Sequence, residues 1–361
     1  MSGREIRKID PRGSGVALPA LHRVSARQIF CRLLPMLGLL TAVATATPAY
    51  DFYICANINR NYVIGSKIVT INGVFQRTDA GAWRHFGYND TSISALAFDP
   101  RDRNVIYTAA LNGLWRSLDG GKNWRISNGW DMTEGRDVAV DPNAPDHVYL
   151  ALPDGIAVST DRAGTLVRRE NGLPDRGKFT QAIKVDRIRA GRVLAGCEVG
   201  IFLTEDGAQN WRQVFGTKEM VNDLQQSPHD PQVWVAATQS AGALISRNGG
   251  LKWERLAGVP TERALYNITF DVTNPSRLAI GSWAHGVLTT EDGGATWTSR
   301  NAGLPENPRV WRVGIDPEGR LYASVFQETL FHSDDFGRTW QPNDLVGSLV
   351  NYFVTVPKAA N

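Results

Sequence analysis

Short apolar runs, cut at regular intervals by Gly, Pro, Asn and Asp, fill residues 70–345 of this 361-residue chain. The stretch from Ile93 to Ser127 displays the unit most clearly. One run, Ile93 to Phe98, ends in Asp99-Pro100, and a second occupies Val105 to Ala110. Gly113 precedes a third, Leu114 to Ser117, and after a polar octapeptide a fourth short run begins at Trp124. Runs of this length bounded by turn-forming residues predict β-strands joined by tight turns, four to a unit. The same order can be laid over Val138 to Val140 with Val148 to Ala151, Ile183 to Val185 with Val193 to Ala195, and Val233 to Ala237. It recurs at Ile268 to Phe270 with Leu278 to Gly281, and at Val313 to Ile315 with Leu321 to Val325. No segment of the region sustains helical periodicity.

The polar octapeptide fixes the period. Its clearest copies are Ser117 to Trp124, Thr290 to Trp297 and Ser333 to Trp340, all reading S/T-x-D-x-G-x-T/N-W. Thr204 to Trp211 has Ala208 for the Gly, and Ser246 to Trp253 has Asn248 for the Asp. Two copies are degenerate. The one around Asp79 is a residue short before Trp83, and the one at Asp161 ends in Leu166 with no Trp. The anchors Asp79, Asp119, Asp161, Asp206, Asn248, Asp292 and Asp335 are spaced by 40, 42, 45, 42, 44 and 43 residues. A period in the forties signals a repeat architecture. Seven four-stranded units arranged radially predict an all-β fold, a seven-bladed β-propeller forming one domain over residues 50–361. Closure of the ring stays open between the two ends, since Asp51 to Ile71 and Leu349 to Val356 both hold strand-like runs.

The repeats resemble the Asp-box, or bacterial neuraminidase repeat. The arrangement over residues 51–345 is similar to the single-ring propellers of the photosystem II stability and assembly factor type. Related repeats occur in sialidases, xyloglucan-active glucanases and sortilin-type receptors. The resemblance implies that each box sits on the turn between the third and fourth strands and serves the structure. A short Asp accepts backbone hydrogen bonds of its own turn, Gly supplies a positive φ, and Trp124, Trp211, Trp253, Trp297 and Trp340 pack between sheets.

The first 49 residues read differently. Arg4, Arg7, Lys8, Arg12, Arg23, Arg27 and Arg32 outnumber Glu5 and Asp10, and an uncharged apolar stretch from Leu33 to Ala46 follows. This is the layout of a secretory signal with a long basic front, cleaved after Ala46 or Ala49. It predicts a secreted or periplasmic protein that meets a membrane only through this segment if uncleaved. The leader carries a net +5 of the chain's +3, so the remainder stands at −2. A near-neutral propeller gives no basis for a nucleic-acid partner. Cys55 and Cys197 fall in distant repeats, so both are expected to be free, buried thiols.

Chemistry-bearing motifs are absent: no H-E-x-x-H, paired C-x-x-C, G-x-S-x-G or phosphate-binding loop occurs, and no metal or cofactor is implied. Function is expected on the face opposite the boxes, where the loops entering each innermost strand meet those between strands two and three. That face collects Trp130, Arg136, Arg176, Arg263, Tyr266, Trp283, His285, Arg309, Trp311 and Arg312. Trp, Tyr and Arg dominate binding hot spots, and loops on a rigid scaffold carry ligands. The expectation is a monomeric binding or assembly module whose partner is a protein or a glycan. An arginine-lined face that docks a partner protein is also what the assembly-factor resemblance implies.

The alternative is a glycoside hydrolase. That reaction needs two carboxyl groups about the scissile bond, and the candidates on this face are Asp131 with Glu134 and Glu198 with Glu262. The sialidase family carries an Arg-Ile-Pro-type motif on six blades, and xyloglucanases pair two propellers. This chain lacks the motif and counts seven repeats in one ring.

Overall fold

A computed structural model describes residues 50–58, 67 and 70–358. The expected signal segment, residues 1–49, lies outside the described residues.

Every regular element among the described residues is a β-strand, and the strands form seven four-stranded antiparallel sheets. Six blades are contiguous in sequence: blade 2 (95–126), blade 3 (137–168), blade 4 (180–216), blade 5 (221–255), blade 6 (265–299) and blade 7 (310–342). Blade 1 is composite. Its innermost strand is the tail, Leu349–Pro357, followed outward by Tyr50–Asn57, Gly73–Arg77 and Trp83–Phe86. The tail pairs antiparallel with Tyr50–Asn57, from Tyr50↔Pro357 to Asn57↔Leu349. The tail and residues 50–86 therefore complete blade 1 together.

The short outermost strands of blades 2, 5, 6 and 7 are exposed at both positions. The second and third strands of blades 3 and 4 are buried at every position, because each sheet is covered on both faces by its neighbours. Seven core clusters result, and each joins one pair of adjacent blades. Tyr107, Leu114, Leu150 and Leu152 meet between blades 2 and 3. Phe52, Ile54 and Val350 meet Tyr322 and Leu330 between blades 1 and 7. Cys55 and Cys197 are free and buried, and burial pushes the Cys197 thiol up to about 12.

The boxes join the third and fourth strands. In the first complete one Asp119 Oδ1 accepts from Ser117 Oγ (2.9 Å) and from the backbone N–H groups of Lys122 (3.1 Å) and Asn123 (2.9 Å), while Asn123 Nδ2 donates to Oδ2 (2.6 Å). The Asn123 N–H leads the donors that hold the Asp119 carboxyl down at about 2. Asp161, Asp206, Asp292 and Asp335 accept the matching backbone bond from Thr165, Asn210, Thr296 and Thr339 at 2.8–2.9 Å, and Asn248 does so from Lys252 at 2.9 Å. Two successive residues after each anchor but Asp79 are left-handed, not one: Gly120 and Gly121 (φ 73° and 82°), but also Arg162 and Ala163 (58° and 56°). The box bonds hold non-glycine residues in a region that costs roughly 1–2 kcal/mol each.

Asp79 departs from its expected part. The shortened copy leaves its side chain 97% exposed, meeting Lys358 at 3.4 Å. Trp83 still packs between blades 1 and 7 and donates to Asn343 Oδ1 at 2.9 Å. The other box tryptophans sit at the seams with the preceding blade; Trp211 and Trp340 donate across them to the carbonyls of Arg169 and Arg300, both at 2.9 Å. Leu166 fills this place in blade 3.

Candidate functional site: the channel mouth

The innermost strands line the axial channel, and several carry one extra residue near their start. The register slips between Thr180 and Ala182, Val221 and Asp223, Leu265 and Asn267, and Val310 and Arg312. It slips likewise in the tail opposite Cys55 and Ala56, which accommodates Asn351. A bulge re-aims side chains and leaves a residue outside the ladder. Gln181, Asn222, Trp311 and Asn351 consequently surround a cavity of about 220 Å³ at the channel mouth, with Tyr352 and Phe353 in its lining.

Bulging also frees backbone N–H groups, and the preceding blade takes them up. Ile183 donates to Asp137 Oδ2 (3.0 Å), Ile268 to Asp223 Oδ2 (3.1 Å) and Val313 to Asn267 Oδ1 (2.9 Å). The buried acids in the channel thus stitch neighbouring blades together. Lys184 completes the group by donating to Asp137 Oδ2 (2.5 Å) and to the Tyr352 hydroxyl (3.0 Å), linking blades 3 and 4 with the tail. Burial alone would lower the Lys184 value, but the Asp137 carboxylate overrides it and raises it above the ordinary range. Asp223 moves the other way. Burial pushes it up to about 6, against the pull of Lys184 and Arg312.

Beside the cavity stands an aromatic crown. Tyr266 lies 4.5 Å from Trp311 and 5.5 Å from Trp283, and Trp283 lies 5.1 Å from Phe326, centroid to centroid. The Arg309 guanidinium stacks over Trp283 (5.3 Å) and Phe326 (5.2 Å), and Arg312 over Trp311 (4.8 Å). Blades 6 and 7 thereby bring together Tyr266, Trp283, Arg309, Trp311 and Arg312. His285 lies on the turn after Trp283, where its N–H meets Ser282 Oγ at 3.3 Å.

The remaining face residues lie apart from this crown. Arg136 lines the cavity, bonded to Glu134 at 3.1 Å and stacked over Phe179 at 5.1 Å. Arg176 and Arg263 are exposed on the loops entering blades 4 and 6, and Trp130 projects 98% exposed from the loop entering blade 3.

None of the four candidate carboxylates is among the cavity-lining residues. Asp131 meets Arg168 at 3.7 Å, and Arg168 also binds Asp154 (2.9 Å) and Glu170 (3.0 Å). Glu134 pairs with Arg136 and has a left-handed backbone, φ 57°. Glu198 and Glu262 stand exposed on turns. The carboxylates that do face the channel, Asp137 and Asp223, were missed from sequence. Their signal was a charge inside an apolar innermost strand, Asp137 before Val138-Ala139-Val140, and Asn222-Asp223 between Val221 and Leu224.

No family model matches the chain. Among curated proteins it is similar to the oligoxyloglucan-reducing end-specific xyloglucanase of Emericella nidulans, 25% identical over 252 residues, 62% of this chain and 29% of the relative. A probable enzyme of the same description from Neosartorya fischeri is 23% identical over 362 residues, 83% of this chain and 42% of the relative. The chain spans less than half the length of these relatives. Among solved structures, an ancestral GH74 enzyme superposes with a TM-score of 0.59 at 18% identity, over 71% of this chain and 38% of that one. YCF48 bound to D1 peptide gives 0.54 at 19%, over 71% and 83%, and YCF48 from Cyanidioschyzon merolae 0.54 at 17%, over 72% and 86%. The fold is the seven-bladed β-propeller that both kinds of neighbour share.

Proposed function

We propose that the chain is an exported binding module that engages a protein partner through its channel-mouth face. The carrying observation is the contiguous crown of Tyr266, Trp283, Trp311 and Phe326 with Arg309 stacked on it. Aromatic and arginine side chains clustered on a rigid scaffold have the composition of an interface hot spot. A hydrolase would need two carboxyl groups free for acid and base work. Here Asp137 and Asp223 are engaged by backbone N–H groups of the next blade, with Lys184 on Asp137. One structural neighbour, YCF48, is bound to a D1 peptide, which agrees with this reading. The xyloglucanases among the curated relatives favour a glycan instead.

The test compares the full chain with its Trp283→Ala and Arg309→Ala variants on two readouts. One is reducing-sugar release from xyloglucan, sialylated and microbial glycans; the other is affinity for captured and identified protein partners. The expected outcome is no release, with a partner bound about tenfold or more weaker by each variant. Sugar release abolished by Glu198→Gln, Glu262→Gln or Asp223→Asn would make the protein a glycosidase.

A further inference from the structure

A second cavity opens on the mouth face at the seam of blades 7 and 1, beside the crown. Its volume is about 350 Å³, and its walls include Asn57, Phe326, Glu328 and Ser348. Ring closure builds it. One wall is the turn between the second and third strands of blade 7, and the others are the two chain segments that meet in blade 1, where Asn57 pairs with Leu349. The walls are held from behind. Phe326 N donates to the Arg309 carbonyl at 2.8 Å, and Thr329 Oγ1 accepts from Gly347 N at 3.0 Å while donating to the Leu345 carbonyl at 3.0 Å. Two polar atoms of this fixed enclosure are orphaned. Ser348 is only 2% exposed and the Asn57 Oδ1 is buried, yet neither Ser348 Oγ nor Asn57 Oδ1 has a hydrogen-bond partner. The rest of the Asn57 carboxamide makes no hydrogen bond among the described residues either. Buried polar groups in folded chains are nearly always satisfied, so two exceptions on one cavity call for a partner from outside.

We propose that this cavity receives the primary carboxamide of a Gln or Asn side chain from the protein partner. The proposal rests on the reading of this face as a protein-binding surface and names a group recognised beside the crown. A primary carboxamide has two N–H donors and a carbonyl acceptor. Asn57 Oδ1 accepts one N–H, Ser348 Oγ accepts the other, and Asn57 Nδ2 donates to the carbonyl. The terminal torsion of Asn is soft and a hydroxyl hydrogen turns freely, so both groups adapt to the incoming amide. A backbone amide brings a single N–H and leaves one orphan unmet. A carboxylate brings none and meets the Glu328 carboxylate in the same cavity. An alkyl chain leaves all three groups without a partner. Phe326 belongs to both the cavity wall and the crown, 5.1 Å from Trp283 and stacked with Arg309 at 5.2 Å. A partner whose side chain fills the cavity therefore rests its flanking residues on the aromatic rings.

The test titrates the full chain with N-acetylglutamine methylamide and N-acetylasparagine methylamide. The alanine, glutamate and norleucine analogues and glucose serve as comparisons. The readouts are calorimetric affinity and the Asn57 side-chain NH₂ resonances, assigned through the Asn57→Leu variant. At least one of the two carboxamides is expected to bind and to shift the resonances saturably, and the tighter of them tells Gln from Asn. The comparison ligands are each expected to bind about tenfold weaker or more, and Ser348→Ala to weaken the carboxamide about fivefold. The Ser348 hydroxyl has no bond to lose, so Ser348→Ala is expected to melt with the unmodified chain. Should Asn57→Leu fail to fold, the calorimetric contrast between the glutamine and glutamate analogues on the unmodified chain decides. No saturable binding of either carboxamide would mean that water alone fills the cavity, and would overturn the proposal. Binding of the alanine, glutamate or norleucine analogue or of glucose as tight as the carboxamides, or carboxamide binding indifferent to Ser348→Ala, overturns it equally. A partner whose capture depends on Trp283 but not on Asn57 or Ser348 would sink the pocket alone; glycan hydrolysis would sink the reading beneath it.

Discussion

The two faces of the ring handle charge in opposite ways. On the box face, several arginines are closed into ion pairs with neighbouring turns, while Arg187 donates instead to the Ser227 carbonyl. Arg101 binds Asp99 (3.0 Å) and Asp146 (2.8 Å), Arg192 binds Asp186 (2.9 Å), and Glu291 gathers Arg277, Arg300 and Arg338 at 2.6–3.3 Å. On the channel-mouth face Arg136 and Arg168 are paired, but Arg176, Arg263, Arg309 and Arg312 have no carboxylate within 4.0 Å among the described residues. One face is rich in ion pairs between turns, and the other holds a cluster of aromatic rings with arginines stacked on them. Substitutions on the box side should therefore change stability, and substitutions around the mouth should change binding.

The largest break in that scheme comes from the tail, which belongs to both faces. Deleting residues 346–361 removes the innermost strand of blade 1, with Val350 fully buried and Tyr352 on Lys184. The loss of buried apolar surface and of a whole ladder is expected to exceed about 5 kcal/mol. A truncated protein that melts with the full chain would refute closure by this strand.

Next in size is an effect of pH at the mouth. Asp223 has a folded value of about 6, above the unfolded carboxyl value near 3.9. A raised carboxyl binds its proton more tightly in the folded state, so its contribution is fully present below pH 4 and is lost as pH climbs through 6. The chain should lose roughly 2–3 kcal/mol relative to its Asp223→Asn variant between pH 4 and 7. Parallel denaturant midpoints for the two proteins across that range would show that Asp223 is ionised as easily folded as unfolded.

The difference between the faces was unevenly legible in the chain itself. Box positions repeat at fixed spacing, so Asp119, Asp206 and Trp340 announce their turns in the bare sequence. Their chemistry is local, set by residues within eight positions of one another. The crown could be listed but not assembled, because Tyr266 and Trp311 sit on the innermost strands of adjacent blades and Trp283 on a turn of the first, and only the packing of the blades brings the rings together. Asp137, Lys184 and Asp223 escaped for a further reason: their meaning depends on bulges that shift which side of an innermost strand faces the channel. Ring closure was ambiguous because the composite blade has no complete copy of the repeat at either end.

A middle-sized prediction separates real boxes from vestigial ones. Asp335→Ala removes the acceptor of Ser333 Oγ (2.7 Å), Thr339 N (2.8 Å) and Thr339 Oγ1 (2.7 Å), and should lower the melting temperature by a few degrees. Asp79→Ala should leave it in place, since that carboxylate points to solvent. Equal losses at both positions would mean that the degenerate copy is as structural as the others.

The smallest expected change is at Trp130, and it bears most directly on the contrast. Its loop is fixed from beneath, by Met132 in the core between blades 2 and 3 and by Glu134 N donating to the Leu111 carbonyl at 2.7 Å. The indole itself is 98% exposed. Trp130→Ala is expected to shift stability by less than about 0.5 kcal/mol, because the anchoring contacts belong to other residues. A clear fall in melting temperature would show that Trp130 supports its loop, and the contrast between a box face whose side chains set stability and a mouth face whose side chains do not would then stop at blades 6 and 7.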